Sequence, residues 1–434
     1  MNKPLLEIFR KAYRDLDLFP LFSAEEIKRF RVEYGGDTLA RLEQVIDDAP
    51  TDGKIVFAGH RGCGKSTLLA KLARQMQDLN YFVVLFSIAD MVEMSAVDHV
   101  NILYAIAVQL LSKATRMQVA IPEKTKETIL KWLITTRTES VTQDLKSQFG
   151  VGGDILKLIT AKLQSESTFR EEIKHTYERR INDLVQKIDE IARSIQEVTK
   201  REVLVIIDDL DKLDWQLVEE IYQNNINALF RPQIRIVFTI PIAVIRDIEL
   251  RTILQTASGT PIQQMEVAKF FTKASRHDPA ATPAETKMQV FLQVLAKRIP
   301  TELIEPETAR EMVLQSGGVI RELVRIARGC CSQCLLQLRS DPTQTDVKIN
   351  QEVLQLALRD IRNDFAASLG ESRYEILATT YHQAEPTEIT DQEFLVLLHG
   401  LYILEYRNDD LWYDVHPVVV ELLRRRNLLT AITA

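Results

Sequence analysis

The sequence predicts an α/β fold built around a parallel β-sheet, and the order of its apolar runs carries this prediction. A short apolar run at 54–58 precedes a glycine-rich loop, a helical pattern follows, and a second apolar run stands at 81–88. Strand, loop, helix and strand in this order form the first unit of a parallel sheet. Apolar runs at 203–207 and 234–240 predict a third and a fourth strand, and residues 261–267 predict a short fifth one.

The glycine-rich loop fits the phosphate-binding pattern G-x-x-x-x-G-K-[ST], with Gly59, Gly64, Lys65 and Ser66 at the defining positions. Glycines let such a loop curl so that backbone N–H groups point at phosphate oxygens, and the following helix adds the positive end of its dipole. We expect the lysine to contact the β- and γ-phosphates and the serine hydroxyl to bind Mg²⁺. The predicted nucleotide-binding residues of the loop are Gly59, Gly62, Cys63, Gly64, Lys65, Ser66 and Thr67.

Acidic residues after the third predicted strand supply the rest of a metal site. Asp208 directly follows the third apolar run and is predicted to bind Mg²⁺ together with Ser66. Asp209 is predicted to polarise the attacking water, and the alternative for both aspartates is a solvated loop without a catalytic role. Thr239, at the end of the fourth strand, is predicted to sense the γ-phosphate or hold the water, unless it is an ordinary strand-end threonine. The predicted catalytic residues are therefore Lys65, Asp209 and Thr239.

The length, charge and hydrophobicity of the chain argue against several classes of protein. The chain has 434 residues, of which 46% are hydrophobic, which is enough for several domains. A formal net charge of −7 argues against a strongly basic nucleic-acid binder. The first residues do not resemble a signal peptide, and no apolar stretch approaches the 18 residues that a membrane span needs. We therefore expect a cytoplasmic protein without a membrane partner.

The cysteines do not suggest a disulfide framework. Cys63 lies in the phosphate loop, whereas Cys330, Cys331 and Cys334 stand close together on a predicted helix. The last two have CxxC spacing, but no second cysteine or histidine pair follows with zinc-like spacing. A buried helix face is the favoured interpretation, and a metal or redox site is the alternative.

A long helical insertion is predicted at about 98–200, between the second and third strands. Within it, apolar residues recur at spacings of three or four from Phe169 to Val198, which predicts one apolar seam on a long helix. The seam either packs against its own domain or forms an arm that contacts a partner.

The last third of the chain is predicted to be mainly helical. A stretch at 275–286 is rich in Ala, Pro and Thr and is typical of a linker. Near the end, short apolar strands flank a polar turn at 407–410, which predicts a hairpin, and helices followed by a hairpin suggest a winged helix. The predicted domains are an N-terminal helical segment at 1–45, a core at 46–275, a helical lid at 276–367 and a winged-helix domain at 368–434.

Four motifs in this order resemble those of AAA+ ATPases, particularly the STAND signalling ATPases and the origin-recognition ATPases. They are GHRGCGKST at 59–67, VLVIIDDLDKL at 203–213, IRIVFTIP at 234–241 and SGGVIREL at 316–323. The resemblance implies an AAA+/STAND-like P-loop NTPase fold with a helical lid and a C-terminal winged helix. It also implies ATP and ADP, with Mg²⁺, as the cofactors.

The resemblance assigns roles to residues outside the core. In the related ATPases an arginine of a Gly-Gly-x-x-Arg element reaches the nucleotide, and Arg321 is the matching residue, unless it is merely solvated. His416 matches a histidine that contacts ADP in STAND switches, although Val415 replaces the usual methionine, and a buried structural histidine is the alternative. Residues 32–36 match an adenine-pocket segment. The Asp208-Asp209 pair replaces the usual Asp-Glu and implies slow hydrolysis.

The resemblance implies an ATP-driven conformational switch that assembles as a homo-oligomer and controls a separately encoded effector protein, in a bacterial antiviral role. The alternative is a DNA-acting ATPase of the origin-binding or transposition-regulator type, whose winged helix would bind DNA and whose Arg424, Arg425 and Arg426 would contact phosphates. Candidates for an arginine acting in trans, by position only, are Arg231, Arg246 and Arg251.

Overall fold

The chain folds into two compact units. The computed structural model describes residues 3–21, 23–134, 155–341, 343–407 and 410–429. The first unit, called the sheet unit, comprises Asp37–Ala58 and Leu68–Gln264. The second unit, called the helical unit, comprises Met1–Gly36, Gly59–Thr67 and Met265–Ala434.

A five-stranded sheet with the strand order β2-β3-β4-β1-β5 forms the centre of the sheet unit. The pairs β2–β3 and β3–β4 are parallel. The strand residues are nearly all buried, as expected for a parallel sheet covered on both faces. All five predicted strands are confirmed: β1 is Lys54–Gly59, β2 is Tyr81–Ser87, β3 is Glu202–Asp208, β4 is Arg235–Pro241 and β5 is Gln263–Met265.

Helices fill the connections of the sheet unit. The helix His99–Arg116 has thirteen of its eighteen side chains buried, so it is a central core helix and not an amphipathic surface helix. Residues 135–154 of the predicted insertion lie outside the described part of the chain. The longer helices are Gly36–Asp48, Lys65–Asp78, His99–Arg116, Glu123–Leu133, Ile155–Ser165, Ser167–Tyr177, Ile181–Thr199 and Ile248–Ser258.

The prediction of one long helix along the apolar seam is wrong. Two helices, Ser167–Tyr177 and Ile181–Thr199, carry the seam and are separated by the 3₁₀ turn Glu178–Arg180. The spacing of the apolar residues does not reveal this break, because Tyr177 and Ile181 are still four positions apart in the sequence. The buried Tyr177 ring packs 5.0 Å from the Trp132 ring, a tertiary contact that local spacing does not encode. Both helices contact His99–Arg116, so the seam packs within its own unit.

The helical unit is held together around one long helix. Lys3–Asp15 and Gln351–Ala366 both pack against Ile320–Ser340. No helix or strand interrupts the segment between β5 and Glu285–Ala296. The helices of this unit are Lys3–Asp15, Ala24–Phe30, Glu285–Ala296, Pro306–Gln315, Ile320–Ser340, Gln351–Ala366, Glu371–Gln383, Gln392–His399 and Pro417–Arg425.

The three clustered cysteines lie on the buried side of Ile320–Ser340. Cys330, Cys331 and Cys334 are all buried. Burial raises the pKa of all three thiols, and it raises that of Cys334 to about 12. Protonated, inaccessible thiols are inert. The favoured interpretation, a buried helix face, is confirmed.

The predicted C-terminal hairpin is confirmed. Strands β6, Ile403–Arg407, and β7, Leu411–Val415, pair antiparallel. The helices Glu371–Gln383 and Gln392–His399 precede the hairpin and Pro417–Arg425 follows it. At the tip, residues 408 and 409 lie outside the described chain. The winged-helix assignment and the four domain boundaries remain predictions.

None of the helices in the ranges that the structure describes combines the length and the apolar character needed to cross a membrane.

Candidate nucleotide-binding site

The loop after β1 needs glycine at its turning points. Gly62 has φ 78° and Gly64 has φ 106°, in the region that residues with a side chain rarely adopt. Space is also limiting, because a Cβ on Gly62 would collide with the Cβ of Arg321, and one on Gly64 would lie 3.4 Å from Ile320 Cδ1. The glycine pattern therefore reflects both backbone curl and close packing.

Lys65 is the first residue of the helix Lys65–Asp78 and is only 4% exposed. Its Nζ donates hydrogen bonds to the carbonyl oxygens of Gly59 and His60, each at 2.8 Å. The ammonium is thus held inside the curl of the loop, at the start of a helix. Backbone amides, a helix N-terminus and a buried cation together fit a phosphate group.

The other loop residues differ in their surroundings. Cys63 is fully buried, and Ser66 is half-buried. The Thr67 hydroxyl accepts a hydrogen bond from the Leu21 amide at 3.3 Å, so it anchors the N-terminal segment. Tyr34, in the predicted adenine-pocket segment, donates from its hydroxyl to the Glu266 carbonyl at 2.8 Å.

His60 links the phosphate loop to the C-terminal hairpin. Its Nε2 accepts a hydrogen bond from the Glu405 backbone amide at 2.9 Å, and the imidazole is 1% exposed. Sequence reasoning missed this residue, because His60 occupies one of the unspecified positions of the loop pattern and its partner lies 345 residues further on. The loop and β6 are therefore in direct contact.

Arg321 lies against the loop through its backbone. Its amide donates to the Gly62 carbonyl at 3.0 Å, and the residue as a whole is exposed. The preceding Gly317 and Gly318 have φ 60° and 81°, and the Gly318 carbonyl accepts from the Ala268 amide at 3.2 Å. The structure thus brings the predicted arginine and the phosphate loop together.

The same glycine turn contacts β6. The Tyr406 hydroxyl donates to the Gly317 carbonyl at 2.8 Å. A Cβ on Gly317 would collide with Leu404 Cδ1 and lie 3.0 Å from Pro417 Cδ. Three consecutive residues of β6, Leu404, Glu405 and Tyr406, therefore touch either the phosphate loop or the glycine turn.

His416 is the N-cap of Pro417–Arg425. Its Nδ1 accepts from the Val418 amide at 3.3 Å, so the proton of the neutral ring lies on Nε2. Within the described chain Nε2 has no hydrogen-bond partner, although the residue is fully buried. Burial, with a smaller contribution from Arg325, lowers the pKa of His416 to about 3. The ring is neutral and offers a buried donor.

In the sheet unit, the acids after β3 form a compact cluster. Asp208, Asp209 and Asp211 are all buried, and each places a carboxylate oxygen within 4.8 Å of the others. Asp208 Oδ1 accepts from the Asp209 amide at 2.8 Å. Hard carboxylate oxygens in such a group fit Mg²⁺.

Asp209 has the left-handed backbone conformation, with φ 70°. Its Oδ2 accepts from the Ser87 hydroxyl at 2.7 Å, and its Oδ1 lies 2.5 Å from Lys212 Nζ. Ser87 ends β2 opposite Asp208 in the sheet register. Neither Ser87 nor Lys212 was predicted as a site residue.

The Thr239 hydroxyl, which is fully buried, makes two hydrogen bonds to the β3 end. It donates to the Ile207 carbonyl at 3.2 Å and accepts from the Leu210 amide at 3.1 Å. These bonds span the Asp208-Asp209 pair. The single hydroxyl proton is donated to a carbonyl, so in this structure Thr239 stabilises the turn after β3.

The C-terminal arginine run is engaged with acids. Arg424 and Arg425 lie 3.1 Å and 3.6 Å from Glu421, and Arg426 lies 2.5 Å from Glu371. The run therefore pairs with acids in the folded chain, and the DNA-binding alternative remains a prediction. Of the trans-arginine candidates, Arg231 donates to Asn182, Arg246 is buried and Arg251 is exposed.

The fold and the loop define the chain as a P-loop NTPase. The KAP family P-loop domain matches residues 38–270, which is more than half of the chain. The chain therefore belongs to the KAP family of P-loop NTPases. No curated protein matches it.

Solved structures of origin-recognition proteins are similar to the chain. Aeropyrum pernix Orc1 in complex with DNA is 11% identical, with a TM-score of 0.43 and 97% of each chain covered. Pyrobaculum aerophilum Cdc6p is 11% identical, with a TM-score of 0.39, covering 93% of this chain and 97% of that chain. Drosophila ORC bound to DNA is 12% identical, with a TM-score of 0.36, covering 96% and 91%. Similarity at this level does not transfer a function.

Proposed function

We propose that the chain is a molecular switch that binds ATP, hydrolyses it slowly and changes conformation with the nucleotide that it holds. The altered form assembles into a homo-oligomer and engages a separately encoded effector protein. The bacterial antiviral setting of this switch rests on the family resemblance alone.

The main support for this proposal is the hydrogen bond between His60 and the Glu405 amide. It joins a residue of the phosphate loop to the edge of the C-terminal hairpin, and both groups are buried. A loop that adjusts to a triphosphate, a diphosphate or no ligand changes the position of its own histidine. The hairpin then gains or loses a bond according to the state of the loop.

Two neighbouring contacts support the same coupling. The Gly62 carbonyl accepts from the Arg321 amide, and the Gly317 carbonyl accepts from the Tyr406 hydroxyl. The helix Ile320–Ser340, the glycine turn and β6 thus form a continuous path of contacts from the loop. Each step of the path contains a hydrogen bond that a conformational change could form or break.

Different residues of the chain bind the phosphates, bind the metal and activate the water. We assign phosphate binding to the loop amides and Lys65, and metal binding to Ser66 of the loop and to Asp208 of the acid cluster. Bound Mg²⁺ would neutralise the charge that develops on the phosphate oxygens. Asp209 orients and deprotonates the attacking water, and Thr239 supports this step by holding the turn that carries Asp209. Arg321 and His416 complete the phosphate contacts, for which an exposed arginine and a buried N–H donor are suited.

The energies are sufficient for switching. One hydrogen bond contributes about 0.5–1.5 kcal/mol, which shifts an equilibrium about two- to tenfold. A ligand at 100 times its dissociation constant stabilises the state that it alone binds by about 2.7 kcal/mol. Switching depends on the difference between the affinities of ATP and ADP for the two states, and not on tight binding as such.

Light scattering in solution tests the proposal. We expect the mass of the wild-type protein with a non-hydrolysable ATP analogue to differ from its mass with ADP. The Lys65→Ala variant, which cannot hold the phosphates, should have the same mass in both. A nucleotide-saturated wild-type protein that stays a monomer with both ligands would contradict the switch.

A further inference from the structure

A cavity of about 400 Å³ lies in the helical unit beside the C-terminal hairpin. Its walls come from the segment 269–279, the helix Pro306–Gln315, Tyr381, the hairpin and the helix Pro417–Arg425. All of these belong to the same unit. We call this space the aromatic cavity. Its volume lies within the range of sites that bind small molecules.

Two stacked pairs of rings line the aromatic cavity. The Tyr406 and Trp412 rings of the hairpin stack with their centroids 4.6 Å apart, and the His277 ring stacks on that of Tyr381 at 3.7 Å. The first pair is buried, whereas Tyr381 and His277 are partly accessible. The rings thus form an apolar inner wall and an accessible aromatic rim, which suit a planar ring.

Arg276 brings to the cavity a positive charge that lacks a counter-ion. Its guanidinium donates to three backbone carbonyls, those of Lys273 at 2.6 Å, Tyr381 at 3.1 Å and His382 at 3.0 Å. Among the residues that the structure describes, no acidic side chain forms an ion pair with it. The carbonyls fix the position of the guanidinium but leave its charge uncompensated, so an anion is favoured beside it.

The acids of the lining already have partners within the chain. Asp414 lies 3.1 Å from His277 Nε2, and Glu311 accepts from the Gln315 side chain at 2.7 Å. Asp278 accepts from a backbone amide at 2.9 Å. The lining contains three acidic and three basic side chains, the basic ones being Lys269, Arg276 and Arg424. A cavity with this balance suits a group with one negative charge better than a polyphosphate.

We propose that the aromatic cavity binds a small planar aromatic molecule that carries a single negative charge. The anionic group contacts Arg276, and the ring packs along Tyr381 and His277. Aromatic carboxylates and cyclic nucleoside monophosphates share this chemistry. A ligand in this position connects the segment 269–279 to the hairpin. The site goes beyond the proposed function, because it is separate from the phosphate loop and needs no nucleotide there.

Titration calorimetry of the full chain tests the site with two probes, indole-3-acetate and cyclic AMP, in separate experiments. ADP in excess occupies the phosphate loop throughout. We expect at least one probe to bind with 1:1 stoichiometry and a dissociation constant below about 1 mM. The probe that binds identifies the anionic group as a carboxylate or a phosphodiester. Binding of neither probe at about 10 mM would overturn the proposal.

Substitution of Arg276 tests which group holds the anion. Arg276→Met should weaken binding of the probe about 10- to 100-fold, because it removes a charged hydrogen-bond donor. Arg373→Met is the matched control, since Arg373 is also half-buried in the helical unit and donates to the Ser368 carbonyl at 2.7 Å, outside the lining. It should leave the dissociation constant unchanged. Equal losses of affinity in the two variants would refute the site.

Leu314→Trp keeps the test decisive if Arg276→Met does not fold. Leu314 is a half-buried residue of the lining, so the larger ring occupies the space of the ligand and should abolish binding. Wild-type affinity in this variant would contradict the proposal. Lys65→Ala should bind the probe as the wild type does. The cavity is therefore judged by this titration even if the proposed nucleotide switch fails.

Discussion

Lys65 is the residue on which nucleotide binding depends most directly. Two carbonyls hold its ammonium inside the loop, so it is pre-positioned for phosphate oxygens. Lys65→Ala should raise the dissociation constant for ATP about 10- to 100-fold, since charged hydrogen bonds contribute about 1.5–3 kcal/mol. Titration calorimetry measures this. An unchanged dissociation constant for ATP in the variant would refute the assignment, and Lys187→Met, which removes a lysine paired with Glu190 in the sheet unit, provides the control for loss of a lysine charge.

His416 makes the folded chain sensitive to acid. Its pKa is about 3 in the folded protein and about 6.5 when unfolded, so between these values the unfolded state binds the extra proton. Stability therefore falls as pH drops from about 6.5 towards 3, by up to about 1.4 kcal/mol per pH unit. Denaturant unfolding should show a shallower pH dependence for His416→Asn. The exposed His175→Asn should follow the wild type, and an unchanged slope in His416→Asn would contradict the assignment.

At the residue scale, the sequence predicts those residues whose type and position phosphate and metal binding require. Lys65 and Asp208 follow from a loop pattern and from a carboxylate at a strand end. His60 and Lys212 do not, for different reasons. His60 depends on a partner 345 residues away. Lys212 depends on the backbone conformation of Asp209, which no local pattern specifies.

At the element scale, the turn after β3 depends on β4. The Thr239 hydroxyl bonds to Ile207 and Leu210 on either side of the two aspartates. Thr239→Val should reduce the free energy of unfolding by about 1–3 kcal/mol, because it leaves a buried amide unsatisfied. It should also increase hydrogen exchange at the Leu210 amide. Thr252→Val, at an exposed helix position, should change neither the free energy of unfolding nor this exchange. Equal effects of the two variants would argue against the stabilising role of Thr239.

Elements were predicted well where periodicity alone decides them and poorly where tertiary contacts do. Four apolar runs correspond to four strands, because a strand buried on both faces leaves a clear apolar signal. The short fifth strand, Gln263–Met265, lacks such a run and is mostly half-buried. The break at Glu178–Arg180 was missed, because a 3₁₀ turn preserves the four-residue spacing of the seam. The strand order, with β4 between β1 and β3, could not be predicted either, since an apolar run does not indicate which strands lie beside it in the sheet.

At the scale of the whole molecule, the chain is a P-loop NTPase of the KAP family whose phosphate loop contacts its C-terminal hairpin. Family membership follows from the match over residues 38–270. The proposed coupling rests on contacts between segments far apart in the chain, which the sequence does not predict. The proposed switch would therefore depend on the folded helical unit and not on any single motif.

Hydrogen exchange at the Glu405 amide tests this coupling most directly, because that amide donates to His60 in the phosphate loop. We predict that its protection differs at least about tenfold between the ADP-bound protein and the protein with a non-hydrolysable ATP analogue. In Lys65→Ala, the same two ligands should give equal protection. Equal protection in the wild-type protein, with both nucleotides shown to be bound, would contradict the account.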